Sequence, residues 1–128
     1  MRELGSSQPT AVELEILRIL WELGPSPVRQ IHARLAAAKG TIYSTTVKML
    51  SVMLAKGLVK RDEDATPQVY RAAMTRERAA KKFLSELIEK VYDGSAMSLV
   101  LQALASGKAS KHEIDEARKL LDEMERKS

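Results

Sequence analysis

Three glycines divide the first half of the chain into segments of similar length, and this spacing constrains the fold more than any other feature. Apolar residues recur at helical intervals ahead of Gly24, Gly40 and Gly57, as they do in helices that bury one face. Glycine commonly ends a helix because it takes up a left-handed backbone without steric cost. The pattern therefore predicts three short helices that pack against one another.

The first predicted helix opens with a capping box. Thr10 is spaced to cap the helix and Glu13 to accept a hydrogen bond in return. Residues 1–9 precede this box and are predicted to be a flexible arm. In the second helix, Ser26 is the predicted cap and Pro27 the first helical residue, where a missing N–H costs nothing. The residues predicted to face inward from these two helices are Val12, Ile16, Ile19, Leu20, Leu23, Val28, Ile31 and Leu35.

The third predicted helix begins with hydroxyl side chains, which are indifferent helix formers. These side chains are Thr41, Tyr43, Ser44, Thr45 and Thr46. Helical spacing places one set of residues on its inward arc: Ile42, Thr46, Met49, Leu50, Met53 and Leu54. The opposite face is small or polar and consists of Ser44, Lys48, Ser51 and Ala55. Such a helix buries one side and leaves short hydrogen-bonding groups on the other.

After Gly57 the apolar spacing changes from helical to alternating. The segments "LVKRDED" and "ATPQVYRAAM" predict two short antiparallel strands, with residues 62–67 as the turn. Three helices followed by a two-stranded hairpin is the order of a winged helix-turn-helix. We therefore predict a winged-helix DNA-binding domain over residues 10–75.

The remaining residues, 76–128, predict three more helices, and so a mainly α protein with one small β hairpin. The first carries an inward face of Ala80, Phe83, Leu84, Leu87, Ile88 and Val91, and the last opens with a second capping box, Ser110 to Glu113. Helices that bury so little by themselves usually use a partner surface, which favours a dimerisation domain over packing onto the winged helix of the same chain. The predicted dimerisation residues are Phe83, Leu84, Leu87, Val100, Leu101, Leu104, Leu120, Leu121 and Met124.

Charge is distributed unevenly along a chain whose net charge is +4. From Leu23 to Arg61 there are seven Lys and Arg residues and no Asp or Glu. An acid-free basic segment in an otherwise mixed chain is typical of a surface that meets phosphate. The alternative is a solvated basic face with no partner.

The second helix of a helix-turn-helix lies in the major groove, and its first residues reach the base edges. Ser44, Thr45 and Lys48 are therefore the predicted base and phosphate contacts, and the Tyr43 hydroxyl suits a phosphate. Thr41 is either a contact or only a helix cap. The full predicted set of DNA-binding residues is Lys39, Thr41, Tyr43, Ser44, Thr45, Lys48, Lys56, Lys60, Arg61 and Arg71.

Several functional classes lack the residues that they need. The chain has no Cys, so disulfides, thiolate metal sites and cysteine nucleophiles are excluded. His32 and His112 are far apart and fit no metal-ligand pattern, and His32 is predicted to be a half-exposed helix residue. Neither a Ser/His/Asp set, a glycine-rich phosphate loop, a signal peptide nor a membrane span is present. We expect a cytoplasmic protein that is not an enzyme, with no cofactor, no metal site and no membrane insertion.

The assembled segments resemble the penicillinase-repressor family, the BlaI/MecI/CopY group of bacterial winged-helix repressors. The matching pieces lie in order between residues 10 and 123: "ELEILRILWELGPSPVRQIHARL", "YSTTVKMLSVMLAKGLVKRD", "VYRAAMTRE", "YDGSAMSLVLQAL" and "EIDEARKLLDE". The resemblance implies a homodimer that binds an inverted-repeat DNA operator and blocks transcription. It also implies that repression is relieved through a membrane metalloprotease sensor or a downstream protease, which cleaves the repressor between Gln102 and Ala103.

The sequence departs from the family pattern at three points. Ala103 stands where the family often has Phe, and Val52 stands where many members have Arg. The cysteine cluster of the copper-responsive members is missing, which excludes copper sensing through thiolates. A protein-binding winged-helix adaptor is the second hypothesis, against which the acid-free segment argues, and an enzyme is the third.

Overall fold

The structure is a computed structural model that describes residues 9–128, so the predicted arm at residues 1–9 lies, except for Pro9, outside the described residues. The elements are α1 (Ala11–Leu23), β1 (Ser26–Pro27), α2 (Val28–Lys39), α3 (Tyr43–Lys56), β2 (Val59–Asp62), β3 (Val69–Ala72), α4 (Arg76–Val91), α5 (Ala96–Ala105) and α6 (Lys111–Lys127). The chain divides into two compact units, residues 1–83 and 84–128. The domain boundary predicted after residue 75 stays a prediction.

The core of the first unit lies between α1, α2 and α3. Its fully buried side chains come from all three helices and from β2, and include Ile16, Leu17, Ile31, Leu35, Leu50, Met53 and Val59. Gly40 and Gly57 end α2 and α3 in the left-handed conformation, with φ of 69° and 81°, as predicted. A side chain at either position would strain the backbone.

Six residues that were predicted to face inward are exposed in the structure. Leu23 is exposed, and Leu17 is buried in its helix instead. Ile42 is 66% exposed, because the chain is still extended there and α3 begins only at Tyr43. In α4, Ala79 is buried and Ala80 is exposed, and Leu84, Leu87 and Val91 of the predicted inward face are exposed as well.

The capping box at the start of α1 is confirmed. The Thr10 amide donates to Glu13 Oε1 at 2.9 Å and the Glu13 amide donates to Thr10 Oγ1 at 3.2 Å. The Glu13 side chain is only 2% exposed, and its Oε2 accepts a hydrogen bond from Lys56 Nζ at 2.8 Å. Burial raises the pKa of Glu13, but the hydrogen bonds from Lys56 and Thr10 outweigh burial and hold it below the ordinary value.

The sheet has three strands in the order β1-β3-β2, where a two-stranded hairpin was predicted. Ser26 pairs with Tyr70 and Pro27 with Val69, antiparallel. Ser26 is therefore not the cap of α2, and its hydroxyl donates to the Gly24 carbonyl at 2.8 Å. Pro27 takes the cap position with an extended backbone, and α2 begins one residue later than predicted.

The hairpin of β2 and β3 forms as predicted, with a turn over residues 63–68. Lys60 is opposite Arg71, Arg61 is opposite Tyr70, and Asp62 is opposite Val69. Tyr70 is buried, and it joins the core formed by the helices. The hairpin is therefore anchored at one side and carries exposed charged side chains on the other.

The second unit contains the end of α4 together with α5 and α6. The second capping box is confirmed, since the Ser110 amide donates to Glu113 Oε1 at 2.9 Å and the Glu113 amide to Ser110 Oγ at 3.1 Å. No described residue from 84 to 128 is buried. The large apolar side chains exposed in this unit are Leu84, Leu87, Val91, Met97, Val100, Leu101, Leu104, Ile114, Leu120, Leu121 and Met124.

Candidate nucleic-acid interface

The outward face of α3 is exposed and carries no acidic side chain. Ser44, Thr45, Lys48 and Ser51 are exposed, while Thr46 is buried against the core. Ile42 caps the helix through its backbone alone, without a side-chain hydrogen bond. The reading of Thr41 as the cap is therefore wrong. The first turn of α3 presents short hydroxyl groups beside the positive end of the helix dipole.

Thr46 is fully buried rather than half-buried, and it is paired with a histidine from the neighbouring helix. His32 Nδ1 lies 2.8 Å from Thr46 Oγ1, so a hydroxyl group in the core has a hydrogen-bond partner. The His32 ring also meets the Tyr43 ring edge-on, with centroids 5.1 Å apart and planes at 84°. Arg29, His32 and Tyr43 line one open depression.

Sequence reasoning treated His32 as a half-exposed bystander and left Arg29 out of the predicted site. His32 is indeed half-buried, but it joins α2 to the first turn of α3. Thr46 was the available signal, since a buried hydroxyl on an apolar arc needs a hydrogen-bond partner. Which element supplies that partner is not encoded in helical spacing.

Four of the predicted cationic contacts are exposed and have no ion pair with another described residue: Lys39, Lys48, Lys60 and Arg71. Lys60 and Arg71 are directly opposite each other on neighbouring strands, so their side chains leave the sheet on the same face. Like charges in that position repel. Asp62 lies two residues from Lys60 on β2 and so on the same face of the sheet.

Two other predicted contacts have partners within the chain. Lys56 is bonded to the buried Glu13, as described above. Arg61 lies 2.9 Å from Glu63 Oε2 in the turn between β2 and β3. Its hydrogen bonds to Glu63 and then to Tyr70 raise the pKa of the guanidinium. Lys56 and Arg61 therefore each have a partner within the chain, which sequence reasoning did not foresee.

Two other kinds of site are absent from the part of the chain that the structure describes. Among residues 9–128, no three His, Asp or Glu side chains are grouped to hold a metal ion. Within the same residues, no helix is both long enough and apolar enough to span a lipid bilayer. The exposed face of α3 and the exposed Lys60 and Arg71 of the hairpin together form the candidate interface.

Residues 9–123 match the sequence profile of the penicillinase repressor family. The chain belongs to the penicillinase repressor family. This match confirms the resemblance drawn from the sequence, and it covers nearly the whole chain. Members of this family are winged-helix repressors that bind DNA, and the three helices and small antiparallel sheet of the first unit have that architecture.

Solved structures of other bacterial regulators are similar to this member of the penicillinase repressor family at low identity. A MarR family transcriptional regulator from Silicibacter pomeroyi shares 20% identity over 96% of this chain and 73% of its own, with a TM-score of 0.48. A transcriptional regulator from Thermotoga maritima shares 22% identity over 99% of this chain and 82% of its own, with a TM-score of 0.48. A MarR family protein from Bacillus stearothermophilus shares 24% identity over 96% of this chain and 81% of its own, with a TM-score of 0.45. Comparison with curated proteins gave no significant match.

Proposed function

We propose that the protein is a homodimeric transcriptional repressor that binds an inverted-repeat DNA operator. In this proposal α3 enters the major groove of each half-site and the hairpin of β2 and β3 contacts the adjacent backbone. The second unit of each protomer forms the dimer interface. DNA binding of this kind requires the protein to work in the cytoplasm, where the operator lies.

The observation that carries the DNA-binding proposal is the acid-free outward face of α3. Ser44 and Thr45 supply short donors and acceptors at the end of the helix that reaches base edges. Lys48 follows one turn later and adds the positive charge that phosphate attracts. The like-charged pair of Lys60 and Arg71 supports the same partner, since it is unfavourable in the absence of an anion.

The dimer is supported by the second unit, which has no buried side chain of its own. Leu101, Leu120 and Met124 are 60%, 57% and 59% exposed. Apolar side chains exposed in such numbers mark an interaction surface. Phe83 fits this role less well than the other predicted residues, because it borders a small cavity of the first unit with Leu17 and Leu58.

We also propose that repression is relieved by a membrane metalloprotease or by a protease downstream of it. It is supported by family membership and by the exposure of Gln102 and Ala103. The bond between them lies inside α5, whose Ser95 cap accepts a hydrogen bond from the Ser98 amide at 3.0 Å. Cleavage there requires α5 to open locally, since its backbone groups are engaged in helical hydrogen bonds.

Sequencing of DNA fragments that the purified protein selects from a random pool tests the proposed function. We expect two half-sites related by inversion, with centres about 10 base pairs apart or a multiple of that. If each dimer neutralises about six phosphates, log K should fall with log salt at a slope of roughly −5. Affinity that does not respond to salt, or selection of no common sequence, contradicts the proposal.

Charge reversal separates the repressor from a protein-binding winged-helix adaptor. Lys48→Glu together with Lys60→Glu should abolish operator binding, because phosphates then face acidic side chains. An adaptor that never contacts DNA should give no operator complex even before the substitutions. The matched control is Lys81→Glu with Lys82→Glu, two exposed positions of α4 in the first unit with the same change in net charge.

A further inference from the structure

Three side chains from two helices converge at the start of α3. Arg29 and His32 are three residues apart on α2 and so share one face of that helix. Tyr43 is the first residue of α3, and its ring meets the His32 ring at 5.1 Å. Together these three side chains line an open depression.

The orientation of the histidine is set from the buried side. His32 Nδ1 lies 2.8 Å from the hydroxyl of Thr46, which is fully buried. The two nitrogens of an imidazole ring point in nearly opposite directions, so Nε2 is directed away from the core. When the Thr46 hydroxyl donates to Nδ1, the neutral ring carries its proton on Nε2 and presents a donor outward.

The chemistry of the group is that of an anion site. A guanidinium, an imidazole N–H and a phenol O–H are all donors, and the guanidinium adds a permanent charge. Among the described residues, Arg29 has no ion pair that would compete for it. Arg34, on another side of the same helix, is already paired with Glu22 of α1.

We propose that Arg29, His32 and Tyr43 bind a single backbone phosphate of each DNA half-site. This inference rests on the proposed function and adds Arg29 and His32 to the interface. Thr46 is a positioning residue, which acts by holding the His32 ring. The phosphate fixes the depth and angle at which α3 enters the groove, while the side chains that follow on α3 contact the bases.

The first experiment compares two arginines of the same helix. Operator affinity is measured by fluorescence anisotropy across a salt series for the full-length protein and for Arg29→Gln and Arg34→Gln. Both variants lose one positive charge. We expect Arg29→Gln to weaken binding about tenfold and to reduce the magnitude of the salt slope by about 1 per protomer. Arg34→Gln should leave the slope unchanged.

The second experiment separates phosphate binding from a structural role of His32. Asparagine places a polar atom near the position of Nδ1 and keeps the Thr46 contact, whereas glutamine reaches the position of Nε2. We expect His32→Asn to weaken binding about tenfold and His32→Gln to remain close to the unsubstituted protein. The thermal midpoint of each variant shows whether it is folded.

A duplex with one neutral methylphosphonate linkage locates the phosphate. Scanning this linkage along the half-site should identify one position where the unsubstituted protein loses affinity and Arg29→Gln does not. Tyr43→Phe, which removes only the hydroxyl, should show a reduced loss at the same position. The coupling between linkage and side chain identifies a direct contact.

The inference is overturned if Arg29→Gln and Arg34→Gln give the same salt slope. It is also overturned if His32→Asn binds normally while His32→Gln fails, since only the Thr46 contact then matters. Failure of the proposed function is distinguishable, because the unsubstituted protein would then select no operator at all.

Discussion

Lys56 at the end of α3 donates a 2.8 Å hydrogen bond to Glu13 in the first turn of α1. Glu13 also completes the Thr10 capping box, so its two oxygens serve two different elements. One carboxylate thereby links the first turn of α1 to the last turn of α3. The pair therefore adds a polar contact to the core packing of Leu50 and Met53 that holds α3 against α1 and α2.

We predict that Lys56→Ala destabilises the first unit by about 2 kcal/mol, because it leaves a buried carboxylate without its cation. Urea denaturation followed by circular dichroism measures this change. Lys48→Ala removes an exposed lysine of the same helix and should stay within about 0.5 kcal/mol of the unsubstituted protein. Equal effects of the two substitutions would show that the pair contributes nothing.

Stability should also depend on pH through Glu13. Because the folded state holds the pKa of Glu13 below its ordinary value of 4.5, the stabilisation is present above that value. It is lost as the pH falls through the lower, folded-state pKa. The difference in unfolding free energy between the unsubstituted protein and Glu13→Gln should therefore shrink on acidification below about pH 4.5. A difference that stays constant over this range would exclude the linkage.

Lys60→Gln should change stability and DNA binding in opposite directions. Removing one of two opposed like charges is expected to stabilise the free protein by about 0.5 kcal/mol. The same change removes a phosphate contact, so operator binding weakens and the magnitude of the salt slope falls by about 1 per protomer. Differential scanning calorimetry and anisotropy measure the two effects. Lys81→Gln on α4 is the control, for which neither effect is expected.

The dimer should be disrupted by charge in the second unit. Leu120→Glu places a carboxylate in the proposed interface twice, once from each protomer, and should raise the dimer dissociation constant at least about a hundredfold. Sedimentation equilibrium measures this constant. Leu14→Glu replaces an exposed leucine of α1 and should leave the dimer dissociation constant unchanged. A monomeric unsubstituted protein at high concentration would refute the dimer itself.

Local signals in the sequence predicted all six helices of the described residues, because these signals involve neighbours along the chain. Both capping boxes and the glycine stops need only residues a few positions apart, and all appear in the structure. β1 was missed because two residues are too few to show alternation, and because Ser26 and Pro27 equally suit a helix start. Its partner, Tyr70, lies far away in sequence.

The candidate site was only partly predictable for the same reason. The exposure of Ser44, Thr45 and Lys48 follows from helical periodicity. The pairings of His32 with Thr46 and of Lys56 with Glu13 depend on how three helices cross, which periodicity does not specify. Side chains that looked like free cations or bystanders in the sequence thus acquired partners in the fold.

The small sheet also determines how this protein can associate with itself. Its two edges are β1, which is only two residues long and includes a proline without an N–H, and β2, where Lys60, Arg61 and Asp62 are charged. Short, charged or proline-containing edges resist pairing with strands of other molecules. These edges therefore disfavour edge-to-edge pairing of the sheet with the sheet of a second copy.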